Sequence, residues 1–507
     1  MNDWSRRGGV VLLVVLPLVK LAAHLAVGRG YGYHGDELYY LACADHLDFG
    51  YVDHPPFSIL VLAGSRLLVG DSVIAIRIVP AVAGALTVLM VGLIAKRLGG
   101  GPWALALAMI AAIAAPYYLS LDAYFSMNAI DILLWAVAAW IFLVILQGDR
   151  RDGGWALLGV VLGIALLNKL SGLWLSAGLL AGLAISSERQ LLRTRGPWLA
   201  ATCAFVLFLP HVIWQVVHRF PTAAFMYHST QNKIPFTVGE FFRDQVTGML
   251  PVAAPVWIAG LVFYLALRSG HGVRALGWAW VFVFALLALS QASRNYYLAA
   301  SFTWLVPAGA VAIERALPRW GRWAGVAYIA VIALKGLEAS PFVLPILPEA
   351  TISARSLESG AGRRVYDRMG IGPLPEFLGH MTGYEETVDA AARAYSHLPE
   401  ADRGRTPILG QTYRVASAID VLGRSRGLPP ASSGHNSYWL WGPHGSWDGP
   451  ILVVGMREPR LREYFREVSL VEKVQCDYCR TAPPAVWVTR GMKLPLADFW
   501  RELRDFE

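Results

Sequence analysis

Two adjacent carboxylates, Asp36 and Glu37, stand in the stretch RGYGYHGDELYYLACADHLDFGYVDHPPFS, which also holds Asp45, Asp48 and Asp53. A general base needs an acceptor oxygen within hydrogen-bond reach of the hydroxyl it deprotonates, and a carboxylate beside Tyr39 and Tyr40 in a partly dry cleft supplies one. The bland alternative is that Asp36 caps a short helix starting at Glu37, accepting from a free backbone N–H. Further on, Gly50-Tyr51-Val52-Asp53-His54-Pro55-Pro56 ends in paired prolines, which fix φ and keep the preceding residue extended. Asp53 and His54 are therefore presented rigidly, at an ordinary turn into an interfacial helix over 57–69 or at a binding site. No HxxxH-like spacing surrounds His54, so no metal centre is read there. Arg294-Asn295-Tyr296-Tyr297 offers a guanidinium whose planar fork suits phosphate; snorkelling to headgroups is its plainer use. Asp122 (in LSLDAYFSMN), Asn168/Lys169 and Pro210-His211…Trp214-Gln215…His218 lie at the ends of apolar runs, where interfacial anchoring competes with a chemical role.

These groups are positioned by apolar segments long enough to cross a bilayer, for which about 20 residues suffice. Eleven are expected, near 9–28, 73–95, 102–119, 129–146, 154–168, 172–187, 197–217, 247–267, 275–291, 296–313 and 323–343. The first lacks a clear small-residue cleavage site and reads as a retained anchor. Composition agrees: 16% of the 507 residues are charged and 55% hydrophobic, against about 25% charged in soluble chains. A soluble globular enzyme, a disordered chain and a collagen-like chain are excluded. The net charge of +8 does not indicate nucleic acid, because the basic residues are scattered between apolar runs instead of gathered on one soluble face.

Cytoplasmic loops collect Lys and Arg. Alternate loops carry Arg6/Arg7, Lys96/Arg97, Arg150/Arg151, Arg189/Arg193/Arg195, Arg268/Arg274 and Arg315/Arg319/Arg322, 14 basic residues beside five acids. The amino terminus is therefore expected in the cytoplasm, and an odd number of spans puts the remainder outside. The acid-rich loop over 29–72 then lies at the outer face. Transporters place ionisable groups mid-span, whereas most here sit at or beyond one face.

Residues 345–507 hold 20 basic and 20 acidic residues and form the expected soluble, extracytoplasmic domain, after a membrane domain over 1–344. TPILG (406–410), ILVVG (451–455) and AVWVTRG (485–491) read as strands, with helices over 413–424 and 458–474. That alternation predicts a small α/β domain with a partly parallel sheet. The expected fold is thus mostly α, a polytopic helical bundle with a C-terminal extracytoplasmic α/β domain. Cys43 and Cys203 read as apolar packers. Cys476-Asp-Tyr-Cys479 is a single CxxC; a local disulfide is the first reading, a redox motif the second, and zinc would want a second pair.

The segment GDELYYLACADHLDFGYVDHPPF resembles the first outer loop of GT-C glycosyltransferases of the protein O-mannosyltransferase group (family 39), together with the related aminoarabinose transferases. Further resemblances follow in order: LSLDAYFSMNAIDILLW, LGIALLNKLSGLWL, FLPHVIWQVVHRFP and RNYYLAASFTWLVPAGAVAIER, then TYRVASAIDVLG and SGHNSYWLWGP in the tail. The resemblance implies transfer of a sugar, with inversion, from a polyprenyl-phosphate donor to an acceptor hydroxyl on a lipid, glycan or protein, at the outer face of a bacterial inner membrane. It implies Asp36 as base, Glu37 as its polar neighbour, and Arg294 holding the leaving phosphate. His54 stands where the aminoarabinose transferases have a Lys before the paired prolines, which implies a donor-phosphate contact. Asp122 matches a family acid in the second outer loop without an assigned role. Asp53, Lys169 and Tyr296 are grouped with these as substrate contacts. No obligatory metal and no nucleic-acid partner are expected, although the carboxylates could recruit a divalent ion. Two other classes compete. A transporter or flippase of lipid-linked saccharides would use in-span charges, for which Lys20, Arg77, Asp131, Lys335 and Glu338 are the candidates. A non-catalytic scaffold would bind glycan through Tyr438, Trp439, Trp441 and Trp447.

Overall fold

The computed structural model describes residues 3–148, 151–290, 293–318, 322–363, 371–480 and 484–507. Of the basic residues that set the expected orientation, Arg150 and Arg319 lie outside these, as do the side chains of Arg6, Arg7 and Arg322. The chain divides into two compact units. The first is Met1–Gly28, Ile74–Ile213 and Pro235–Ile346; the second is Arg29–Val73, Trp214–Ile234 and Leu347–Glu507. By compactness, residues 29–73 therefore group with the tail and not with the apolar helices that flank them in sequence.

The first unit is helical. Among the described residues, seven helices are long and apolar enough to cross a membrane, from Gly8–Ala26 to Trp323–Phe342. Val238–Gly248 and Pro251–Leu265 make an eighth if counted as one span, though they meet at a 94° bend. Three of the eleven expected spans fall on shorter helices, Pro102–Ala114, Asp152–Asn168 and Ser171–Ile185. Pro116 restarts the helix after Ala115, which breaks the expected span over 102–119, whereas the expected end at 168 holds, Asn168 and Lys169 closing that helix where the backbone turns extended. Pro102 and Pro116 open their helices at the position where a missing N–H costs nothing.

In lipid there is little hydrophobic drive between helices, so close contact depends on small residues. Helices Ala254–Leu265 and Phe302–Ala316 meet at Gly260 and Gly309. A Cβ on Gly309 would run into the Val256 backbone carbonyl, and one on Gly260 into that of Leu305.

The second unit is built on a five-stranded sheet of order β2-β1-β3-β5-β4. The strands are β1 (Ile408–Gly410), β2 (Ala431–Ser432), β3 (Ile451–Val454), β4 (Phe465–Lys473) and β5 (Ala485–Met492). β1 runs parallel to β2 and β3, whereas β5 is antiparallel to both β3 and β4. The three expected strands are present and the sheet is mixed. The helix expected over 458–474 is a correction. Only Glu458–Tyr464 is helical, and Phe465 begins β4. The run FREVSLVEK pairs with β5 from Phe465↔Met492 to Lys473↔Ala485, and this cross-strand pairing overrides the local helical reading. Leu409, Val453, Leu461, Phe465, Trp487 and Phe499 form its buried core.

Replacing Gly309 by Leu should destabilise the helix pair by about 1–3 kcal/mol, the usual cost of overpacking. The purified protein should melt at lower temperature in detergent. Gly239→Ala, at a position with open space around it, should melt like the wild type.

Candidate functional site

Asp36 lies in the helix Gly35–Asp45 of the second unit, but it is not the cap. That role falls to His34, whose Nδ1 accepts from the Asp36 N–H (3.1 Å), while the Glu37 carboxylate accepts from the His34 N–H (2.7 Å). The capping expectation for Asp36 is thus corrected: a His precedes the pair, and Glu37 closes a capping box and is fully buried. Gly35 is required here, because the Tyr384 hydroxyl occupies the space of a Cβ.

Freed from capping, the Asp36 carboxylate meets the tail. Its Oδ1 accepts from the Tyr413 hydroxyl (3.1 Å) and from Arg414 Nε (3.3 Å) and Nη2 (3.1 Å). Oδ2 lies 3.8 Å from His34 Nδ1, and among the described residues it receives no hydrogen bond. Burial opposes ionisation of this carboxyl. Arg414 outweighs it by charge and by hydrogen bond, with a further bond from Tyr413, and the carboxyl is held down at about 2. Burial also pushes the Tyr413 phenol well up, so Tyr413 is a donor at any working pH. Both partners sit at the start of helix Tyr413–Leu422, capped by Thr412 Oγ1.

Asp53 belongs to the same unit. Its Oδ1 accepts from the Tyr39 hydroxyl at 2.9 Å, and Ser437 Oγ stands 2.8 Å from that hydroxyl. Ser437 Oγ in turn accepts from the Val52 N–H (3.1 Å), so the loop is tied to the tail on this side too. The Tyr39 and Tyr413 rings lie 4.5 Å apart, which links the Asp53 and Asp36 clusters. His54 is 1% exposed, stacked on Tyr40 at 4.8 Å and beside Tyr51 at 4.9 Å. Its Nδ1 is 3.0 Å from the Pro55 carbonyl oxygen and its Nε2 4.0 Å from Asp53 Oδ1. Pro56 leads into helix Phe57–Val69, whose Leu67 and Leu68 are 89% and 86% exposed. A cavity of about 440 Å³ in this unit is walled by Tyr31, Tyr33, Glu349, Tyr384, Glu386 and Asp477. Beside it, Cys476 and Cys479 form a disulfide with Cα atoms 5.5 Å apart.

The first unit holds the other expected residues. Lys169 Nζ donates to Asn128 Oδ1 (2.8 Å) and lies 3.8 Å from Asp131 Oδ2. Asp131 Oδ1 accepts from Ser171 Oγ (2.7 Å) and Trp135 Nε1 (3.1 Å). The same ammonium lies over the Tyr297 ring at 4.7 Å and the Tyr296 ring at 5.8 Å, a cation–π geometry. Arg294, two positions before Tyr296, is the N-cap of the 3₁₀ turn Asn295–Ser301 and acts electrostatically on Tyr297. Asp122 stands apart from this group: it pairs with Lys20 at 2.9 Å, and Lys20 also donates to the Tyr118 carbonyl (3.0 Å).

Reading the sequence assigned no role to Tyr413, Arg414 or Asn128, and took Asp131 only as an in-span charge. Only for Asp131 was there a usable signal, since an acid inside an apolar helix must find a partner. Among the described residues no group of three or more His, Cys, Asp and Glu side chains is placed to hold a metal.

Residues 53–214 match the family described as "Dolichyl-phosphate-mannose-protein mannosyltransferase". The structure is similar to that of ArnT from Cupriavidus metallidurans bound to undecaprenyl phosphate, with a TM-score of 0.62 at 16% identity, covering 94% of this chain and 97% of that one. The apo form of the same protein gives 0.63 at 18% identity, over 95% and 98%. The chain has the GT-C fold. The archaeal oligosaccharyltransferase AglB from Archaeoglobus fulgidus, in complex with an inhibitory peptide and a dolichol-phosphate, is also similar: TM-score 0.56 and 10% identity over 89% of this chain and 70% of that one. No curated protein matches the chain in sequence. With its apolar helices, this GT-C chain is a multi-pass membrane protein.

A double-mutant cycle separates structure from function at Lys169. Breaking a buried pair from one side leaves a lone charge and costs about 3–5 kcal/mol. Lys169→Met alone should therefore melt well below the wild type in detergent, and Lys169→Met with Asp131→Leu should recover most of that loss. Failure of the double variant to recover would show that Asp131 is not the partner that neutralises Lys169.

Proposed function

We propose that this GT-C protein is a membrane glycosyltransferase that moves a sugar, with inversion, from a polyprenyl-phosphate donor to the hydroxyl of a lipid, glycan or protein acceptor, with Asp36 as base. The observation that carries the reading is the Asp36 carboxylate: one oxygen is held by three donors, the other receives no hydrogen bond among the described residues, and the side chain is 30% exposed. That both solved relatives named above with a lipid were bound to a polyprenyl-type phosphate supports the donor class.

In the proposed reaction the acceptor oxygen attacks the anomeric carbon and its proton passes to Asp36 Oδ2. The bond from the anomeric carbon to the phosphate oxygen breaks, and polyprenyl phosphate leaves with one more negative charge. Fixed cations are most useful where such charge develops. Arg294 takes that role, with Tyr296 and Lys169 framing it. Lys169 contributes less net charge, because Asp131 already lies beside it. Glu37 serves by fixing His34, and Asp53 and His54 by shaping the loop around Tyr39. Asp122, paired with Lys20, is assigned a structural part.

The orientation belongs to the same proposal. The amino terminus is cytoplasmic and residues 345–507 face outward across a bacterial plasma membrane. An alkaline phosphatase fused after Glu507 should be active; activity of only a cytoplasmic reporter at that position would reverse the assignment.

Losing a general base costs 10²–10⁴-fold, about 3–5 kcal/mol of barrier. Asp36→Asn should keep normal membrane abundance and donor binding while turnover of radiolabelled polyprenyl-phosphate sugars falls by at least about 100-fold. Arg294→Ala should weaken donor binding and turnover together, because phosphate is met in ground and transition states alike. Near-wild-type transfer by Asp36→Asn would move the base elsewhere. A donor panel incubated with membrane extract would identify both sugar and acceptor.

A further inference from the structure

The geometry points to Arg414, with Tyr413, as a positioning pair supplied by the C-terminal part of the chain: together they hold Asp36 through Oδ1 so that Oδ2 alone faces the incoming hydroxyl. This rests on the reading of Asp36 as the base.

Three observations converge on it. First, all three hydrogen bonds to the carboxylate end on the same oxygen, two from one guanidinium and one from a phenol. A carboxylate fixed in this way cannot swing freely about its terminal torsion, and among the described residues its second oxygen has no donor. Second, the pair is itself anchored. Tyr413 packs on Tyr39 at 4.5 Å and on His435 at 4.9 Å, and Arg414 lies over the Tyr413 ring at 5.0 Å. Third, the Tyr384 hydroxyl and the Arg414 side chain both press on Gly35, the residue before Asp36, so the backbone carrying the carboxylate is fixed as well.

The charged and titratable groups facing Asp36 are His34 on its own segment, Tyr413 and Arg414 on the helix Tyr413–Leu422, and Tyr384. Behind His34 stands His380, with ring centroids 5.1 Å apart; Arg480 Nη1 lies 2.7 Å from His380 Nε2 and Arg480 Nη2 lies 3.5 Å from Glu376. Of these, Arg414 is the one permanent cation bonded to the carboxylate, so its removal has a defined sign. With Arg414 present the carboxyl titrates near 2, below any assay pH. Without it the largest lowering influence is gone and the carboxyl rises. Activity that depends on the ionised form is then lost as pH falls through that higher value.

The experiment measures kcat and KM between pH 4 and 8 for wild type, Asp36→Asn, Arg414→Gln, Arg414→Lys and Tyr413→Phe in the full-length protein. Any loss Asp36 causes in wild type should lie below this window. Arg414→Gln should lose at least about tenfold in kcat at pH 8 with little change in donor KM, and should fall off further below about pH 5. Arg414→Lys restores the charge without the two-pronged grip; it should remove the acid inflection while keeping part of the kcat loss. Tyr413→Phe should lower kcat with no new inflection. Should Arg414→Gln fail to reach the membrane, the Lys and Phe variants still decide, since wild-type kcat in both would overturn the proposal. An unchanged pH profile and kcat in Arg414→Gln, with Asp36→Asn inactive, would likewise overturn it and leave the base assignment standing. Active Asp36→Asn would instead sink the base assignment on which it rests.

Discussion

An ionised group removed from water must be given a counter-charge or a full set of hydrogen bonds, because the solvation it leaves behind is worth several kcal/mol at least. That constraint organises both units of this protein. Lys20 and Asp122, 102 residues apart, are buried against each other, as are Lys169 and Asp131. Arg77 is accommodated by the Gly28 carbonyl at 3.0 Å. In the second unit Asp45 lies between Arg66 and Arg424, at 2.8 and 2.6 Å. Asp36 has Arg414, which grips one of its oxygens through two nitrogens.

The same constraint bears on the competing reading as a transporter. That reading needed the in-span charges to serve a passing substrate. Lys20 and Asp131 are each satisfied within the helical unit, by Asp122 and by Lys169 with Ser171 and Trp135. Lys335 and Glu338, one helical turn apart, pair with each other at 2.6 Å on an exposed face. Freeing any of them for cargo would require breaking a pair first. The aromatic residues offered for a glycan-binding scaffold are committed too. Tyr438 donates to Asp420 (2.5 Å), the Trp439 indole to the Trp500 carbonyl (2.8 Å), and the Trp447 indole to the His444 carbonyl (3.0 Å).

What could be read from the sequence was what local chemistry decides. Apolar runs located the helices of the first unit, β-branched runs located β1, β3 and β5, and paired prolines located the turn at Asp53-His54. The failures share one cause, distance along the chain. β4 has a helical composition at its start and becomes a strand only because β5 lies alongside it. The cap at His34 was hidden because histidine is an uncommon cap and an acid followed it. Arg414 and Tyr413 lie 378 and 377 positions from Asp36, and no spacing rule reaches that far. The span expected over 102–119 overruns because its helix stops at Ala114 and Pro116 opens a new one.

For the proposed role of Asp36 as base, a carboxylate held at about 2 is at first sight a poor choice, since proton transfer is most efficient when the base is matched to the working pH. Glycosyl transfer relaxes that demand. Its transition state is oxocarbenium-like, with bond breaking to the leaving group well advanced, so the attacking hydroxyl becomes acidic only as its oxygen bonds to carbon. The base must then be ionised, stationary and correctly aimed; strength counts for less. Arg414 lowers basicity and in return guarantees ionisation and removes a rotational freedom, which belongs to the orientation advantage that can account for several kcal/mol of a barrier. A glutamate in the same place would be longer and harder to hold with one guanidinium and one phenol, and a carboxylate bonded through both oxygens would have nothing left to offer the acceptor. The arrangement around Asp36 is the one that trades strength for aim.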